Sequence, residues 1–207
     1  MSLRQRIAAA TVLAGLLLAG CAALPVPSGT SGQPAPGTVG APAETPVDLL
    51  AARRAAGIED CPQSSTAAAV PGGLPELTLD CLGGDSSVRL AGLRGPLLIN
   101  FWAQWCEPCR AEAGHLVAFA TTQDEVAVLG INYQDPRPEL AIEFAQLVGA
   151  KYPQLVDAET TSKGPLGVPG IPLTLLVDAK GRVVARQPGE FTSLEQLQQW
   201  VAEGLAR

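Results

Sequence analysis

Five cysteines and a single histidine are the soft nucleophiles and ligands available to this chain. Two of them stand three apart in Cys106-Glu107-Pro108-Cys109, at the end of the run LLINFWAQW. A Cys-x-x-Cys is either half of a zinc site or a dithiol that opens and closes as a disulfide. Zinc needs two further ligands at fitting spacing, and the sequence has neither a second Cys-x-x-Cys nor a histidine pair. No metal site is therefore expected, and the pair reads as a redox dithiol.

The flanking residues say what must hold it. Leu97, Leu98, Ile99, Phe101 and Trp102 follow the break at Gly95-Pro96 as a short apolar run, the pattern of a strand buried on both faces. Downstream, Leu116, Phe119 and Ala120 share one face of a helix at i, i+3 and i+4. Cysteines at this strand-to-helix junction close a small ring on the first turn. There Cys106 meets free backbone N–H groups and the positive end of the helix dipole, which favour its thiolate. Pro108 in the first turn forfeits no helical hydrogen bond. The expectation is an exposed, nucleophilic Cys106 and a more buried, resolving Cys109, with Trp105 covering one side of the pair.

These residues closely resemble the active site of the thioredoxin superfamily, and in detail its membrane-anchored TlpA/ResA branch. The resemblance rests on FWAQWCEPCR, on Glu112 three positions beyond the second cysteine and on GVPGIPLTLLVD, and it spans roughly residues 74 to 207. It implies an α/β thioredoxin fold, a central mixed sheet flanked by helices, with an N-terminal β-hairpin and an inserted helix-strand element. It also implies thiol-disulfide exchange without a cofactor, with Cys106, Cys109 and Glu112 catalytic and Trp105, Pro108, Ile171 and Pro172 facing substrate. Pro172 matches the family's cis-proline, with Pro169 a nearby alternative. A buried Glu112 would manage protons for Cys109, whereas a solvated one would do nothing. Thioredoxins proper carry an Asp just before the Phe-Trp pair; Asn100 stands there, which gives Glu112 more to do. Gly114 replaces a proline common in relatives, and His115 is expected to be solvated and incidental. Glu107, an acid beside Cys106, disfavours its thiolate and leans the pair toward a reductant, while Arg110 pulls the other way.

The termini set the compartment. Arg4 and Arg6 precede an apolar stretch, Ile7 to Leu18, too short for a membrane span, and Leu18-Ala19-Gly20-Cys21 resembles a bacterial lipobox. Residues 1–20 are thus expected to be a lipoprotein signal peptide and Cys21 a lipidated mature N-terminus on the extracytoplasmic face of the cell membrane. Residues 21–57 read as a Pro/Gly/Ala-rich tether ending in a short amphipathic helix, and residues 58–207 as the thioredoxin-like domain. With Cys21, Cys106 and Cys109 assigned, Cys61 and Cys81 are most simply a structural disulfide in an oxidising compartment, the rival reading being a second redox pair that relays electrons. A net charge of -6 without a basic cluster beyond the extreme N-terminus argues against nucleic acid as a partner.

Leu74–Asp80 and Ser87–Leu90 are expected to form the hairpin, with further strands at Val126–Tyr133, Gln154–Asp157, Leu173–Val177 and Arg182–Gln187. Asp135 reads as an N-cap followed by Pro136, and Thr192 with Glu195 as a capping box for a last helix that buries Leu194, Leu197, Val201 and Leu205. The resemblance implies a membrane-anchored reductase of selected exported protein disulfides, apocytochrome c among them, with electrons from a transmembrane donor of the CcdA/DsbD type. A disulfide-forming oxidase and a non-catalytic binding lipoprotein are the alternatives.

Overall fold

The computed structural model describes residues 47–207; the expected signal peptide, Cys21 and most of the tether lie outside them. Seven strands form one sheet in the order β2-β1-β5-β4-β3-β6-β7. They are β1 Thr78–Cys81, β2 Ser87–Arg89, β3 Leu97–Trp102, β4 Ala127–Tyr133, β5 Gln154–Asp157, β6 Leu173–Val177 and β7 Val183–Pro188. The helices are α1 Leu49–Ala55, α2 Glu107–Thr122, α3 Pro138–Val148, the single turn α4 Lys163–Leu166 and α5 Leu194–Leu205.

Strands β3, β4 and β5 are parallel because α2 and α3 carry the chain back between them, and β6 joins β3 antiparallel, so the sheet is mixed. The hairpin β1-β2 attaches antiparallel to β5. All six residues of β3 are buried, as an apolar run broken only by Asn100 suggests. Alternation along β3 divides the core. Leu97, Ile99 and Phe101 join one apolar cluster, while Leu98 and Trp102 join the other, with Cys106, Cys109 and the inner faces of α2, α3 and α5.

Helix α1 packs against α3, and three features depart from expectation, each for a visible reason. Arg53 of α1 is buried and donates to the Glu59 carbonyl and to Asp60 Oδ1, both at 2.6 Å, which fastens the helix to the chain that follows it. Helix α3 starts at Pro138 after Arg137, not at Pro136, because Asp135 is fully buried and its carboxylate is engaged by Gln104 N–H, Asn132 Nδ2 and Arg137 N–H. The cap of α5 is Ser193, whose hydroxyl accepts from Gln196 N–H at 3.1 Å, so the capping pair lies one residue later than Thr192 and Glu195. Finally, Leu205 is exposed; Gly204 takes the inward place, where a Cβ would collide with Leu176.

Candidate active site

Cys106 is the N-cap of α2, and its Sγ accepts from Cys109 N–H at 3.3 Å, which places the sulfur among the unpaired amides of the first turn. Cys106 and Cys109 form a disulfide. Cys109 is buried as expected, but so is Cys106, at 5% exposure. In the closed ring Cys106 lies inward, and its N–H bonds back to the Ala103 carbonyl at 3.2 Å. What faces solvent is the rim. Trp105 is 51% exposed, its indole N–H donating to the Gln134 carbonyl at 3.3 Å, and Glu107 and Pro108 are exposed beside it. Trp102 is core: its indole N–H donates to Gln154 Oε1 and its ring lies 5.6 Å from that of Phe144. The Arg110 guanidinium donates to the Gln104 carbonyl and lies over the Phe144 ring.

Glu112 sits one helical turn beyond Cys109, on the same face, and is 0% exposed. Both of its oxygens are held: Oε1 accepts from Asn100 Nδ2 at 2.8 Å and Oε2 from Phe191 N–H at 3.1 Å. Burial raises its pKa to about 7, even though these two hydrogen bonds pull the other way; the charge of Glu190 adds to the rise. The solvated reading of Glu112 is therefore excluded. Tyr152 titrates far above its ordinary range because it is buried and faces the Glu112 charge.

The Ile171-Pro172 bond is cis, so Pro172 rather than Pro169 takes that role. Leu173 pairs with Phe101 across β6 and β3, which puts Pro172 at the end of β3 from which the chain runs to Cys106. The Pro172 carbonyl accepts from Gly189 N–H at 3.0 Å, whereas among the described residues neither the N–H nor the C=O of Ile171 has a backbone partner. Cys61 and Cys81 are bonded to each other and buried, but in the other apolar cluster, on the opposite face of the sheet from the dithiol. His115 is half-buried on α2 and takes part in none of these contacts. Among the described residues no group of three or more His, Cys, Asp or Glu is arranged to hold a metal ion.

Sequence reasoning noticed Asn100 without seeing its partner, and missed Thr174 and the Phe191 amide altogether. A polar residue in the middle of a fully apolar strand was the available signal, since such a side chain needs a buried partner.

Residues 72–186 match the AhpC/TSA family. The chain is 38% identical to the thiol:disulfide interchange protein HelX of Rhodobacter capsulatus over 57% of its own length and 67% of HelX. It is 30% identical to the thiol-disulfide oxidoreductase ResA of Geobacillus thermodenitrificans over 61% of its length and 74% of ResA. It spans about half the length of the DsbE sequences it matches. A secreted Mycobacterium tuberculosis disulfide oxidoreductase superposes with a TM-score of 0.55 at 25% identity, over 62% of this chain and 96% of that one. Mixed sheet, helix-capping disulfide and sequence kinship agree: the chain belongs to the AhpC/TSA family and is a thioredoxin-fold thiol-disulfide oxidoreductase.

Proposed function

We propose that the protein is a membrane-anchored, extracytoplasmic reductase of selected protein disulfides, in which Cys106 attacks, Cys109 resolves and Glu112 takes up the proton of Cys109. The observation that carries the reading is the buried Glu112 carboxyl beneath the Cys106–Cys109 disulfide, poised to change protonation near neutral pH. In the reduced protein the Cys106 thiolate attacks a substrate disulfide, forming a mixed disulfide and releasing one substrate thiolate. Glu112 then takes the Cys109 proton, and the Cys109 thiolate attacks Cys106 Sγ. The second substrate thiolate leaves, and two electrons have passed from the dithiol to the substrate. Trp105, Pro108 and the free backbone groups of Ile171, beside Pro172, serve as the surface that holds an extended substrate segment.

Support for the reducing direction is the acid Glu107, exposed beside Cys106, which disfavours its thiolate; Arg110, held by the Gln104 carbonyl and the Phe144 ring, is the opposing charge. Lipidation at Cys21, apocytochrome c as substrate and a CcdA/DsbD-type donor complete the proposal; its support there is the lipobox-like sequence and the kinship with HelX and ResA. The test is a mixed-disulfide trap. The Cys109→Ala full-length protein, expressed in its own membrane, should hold substrates on Cys106, and those substrates should accumulate oxidised when the protein is missing. Their accumulation reduced, with a potential near that of strong oxidants, would reverse the direction.

A further inference from the structure

Asn100 is the polar residue in the otherwise apolar LLINFW strand, 1% exposed, and its cross-strand neighbour on β6 is Thr174, 0% exposed. Its Nδ2 carries two hydrogens and both are used: one goes to Glu112 Oε1 at 2.8 Å and the other to Thr174 Oγ1 at 3.1 Å. Both bonds are made by the nitrogen edge of the amide, which therefore faces the Glu112 carboxylate with a donor while the threonine holds its other hydrogen. We propose that Asn100, oriented by Thr174, is the positioning residue that fixes the Glu112 carboxylate and sets the pH at which it exchanges a proton with the dithiol. The inference rests on the reading of Glu112 as the proton carrier and adds the element that tunes it.

The physical argument is one of asymmetry. An amide N–H donates at every pH, so it favours the acceptor-only, ionised carboxylate over the protonated acid. Opposing it are burial and the charge of Glu190; the Phe191 amide adds a second donor on Oε2. The remaining titratable neighbours are Cys109 on the same face of α2 and Tyr152 beyond α3, and neither is a cation. Among the described residues no positive charge holds Glu112 ionised, so the balance falls to two neutral donors, of which only Asn100 is a side chain that substitution can remove. An Asp at this position would set a second carboxylate against Glu112, and the two would share a proton.

The experiment uses the full-length protein and two readouts: the carboxyl carbon shift of Glu112 against pH, and the pH profile of Cys106 alkylation in the reduced form. Asn100→Ala is expected to raise the Glu112 midpoint by about one pH unit, as befits a lost hydrogen bond to a charged group, and to carry the alkylation profile with it. Thr174→Val, which frees the amide to turn, should raise it by less. In a Glu112→Gln background, Asn100→Ala should leave the alkylation profile where Glu112→Gln alone puts it. Asn100→Asp preserves the shape of the side chain if the alanine variant does not fold, and should split the titration into two coupled steps. An unmoved Glu112 midpoint in folded Asn100→Ala, or a single step in Asn100→Asp, overturns the proposal. A Glu112→Gln alkylation profile identical to the native one overturns instead the proton-carrier reading beneath it.

Discussion

The molecule holds two disulfides in contrasting settings. Cys61 and Cys81 are separated by 20 residues, Cys106 and Cys109 by 3, and both pairs are buried. Burial therefore does not distinguish them; surroundings do. Cys81 ends a strand and Cys61 lies in an irregular segment, with hydrophobic side chains from β1, β2 and β3 around them. Cys106 caps a 16-residue helix, has an amide aimed at its sulfur, and is bonded to Cys109, which lies one turn from an acid that titrates near neutrality. A disulfide in the first setting holds a loop to a sheet. In the second, an amide donor meets the sulfur at the helix start and a buried acid lies one turn from the second cysteine. Their positions on opposite faces of the sheet weigh against an electron relay between the pairs.

Swapping the losses is the strongest way to break this contrast. Cys106→Ala should reduce turnover in an insulin-reduction assay by about a thousandfold or more while leaving the fold intact, because the attacking sulfur is gone. The double variant Cys61→Ala/Cys81→Ala should retain turnover within roughly twofold wherever it is folded, yet lose about 3 kcal/mol in urea denaturation, the chain-entropy value for a loop of that length. Loss of turnover in the folded double variant would bring back the relay.

A second contrast concerns the acid that one pair has and the other lacks. Glu112 has a pKa of 4.5 in the unfolded chain and about 7 in the native one. Below pH 4.5 both states are protonated and burial of the acid carries no ionisation penalty. Between 4.5 and 7 the unfolded chain sheds the proton while the native protein keeps it, so stability falls as pH rises, levelling above 7. A rise of that size corresponds to about 3 kcal/mol. Denaturation of the oxidised protein from pH 4 to 8 should show this decline, and Glu112→Gln should remove it. Parallel curves for the two proteins would mean that the native Glu112 titrates like an exposed acid.

How far the sequence reached depends on whether a feature is local. Strands β5 and β6 were readable to the residue, β6 because a short, mostly apolar run between turn signals admits few alternatives. The dithiol and its place at a helix start were equally plain, since spacing and Pro108 lie within one turn. The fate of Glu112 was not, because its partners come from β3 and from a loop 79 residues downstream, and no helical wheel contains them. The position of Cys106 also escaped: thiolate chemistry suggested exposure, whereas ring closure and the Ala103 turn bury it. At Asp135, the local cap signal lost to tertiary demand for a buried carboxylate joining two loops.

The smallest expected effect tests the rim rather than the sulfurs. Trp105 exposes half of its surface beside the dithiol and spends its indole N–H on one hydrogen bond at 3.3 Å. Trp105→Ala should therefore cost less than about 1 kcal/mol of stability. If the ring serves as a platform for substrate, KM for a protein disulfide should rise several-fold, on the order of 1 kcal/mol, while reduction of a small disulfide such as oxidised glutathione stays unchanged. Trp105→Phe keeps most of the apolar area and loses only the hydrogen bond to Gln134, so it should restore most of the KM. An equal loss with both substrates would move Trp105 from the binding surface to the chemistry of the ring itself.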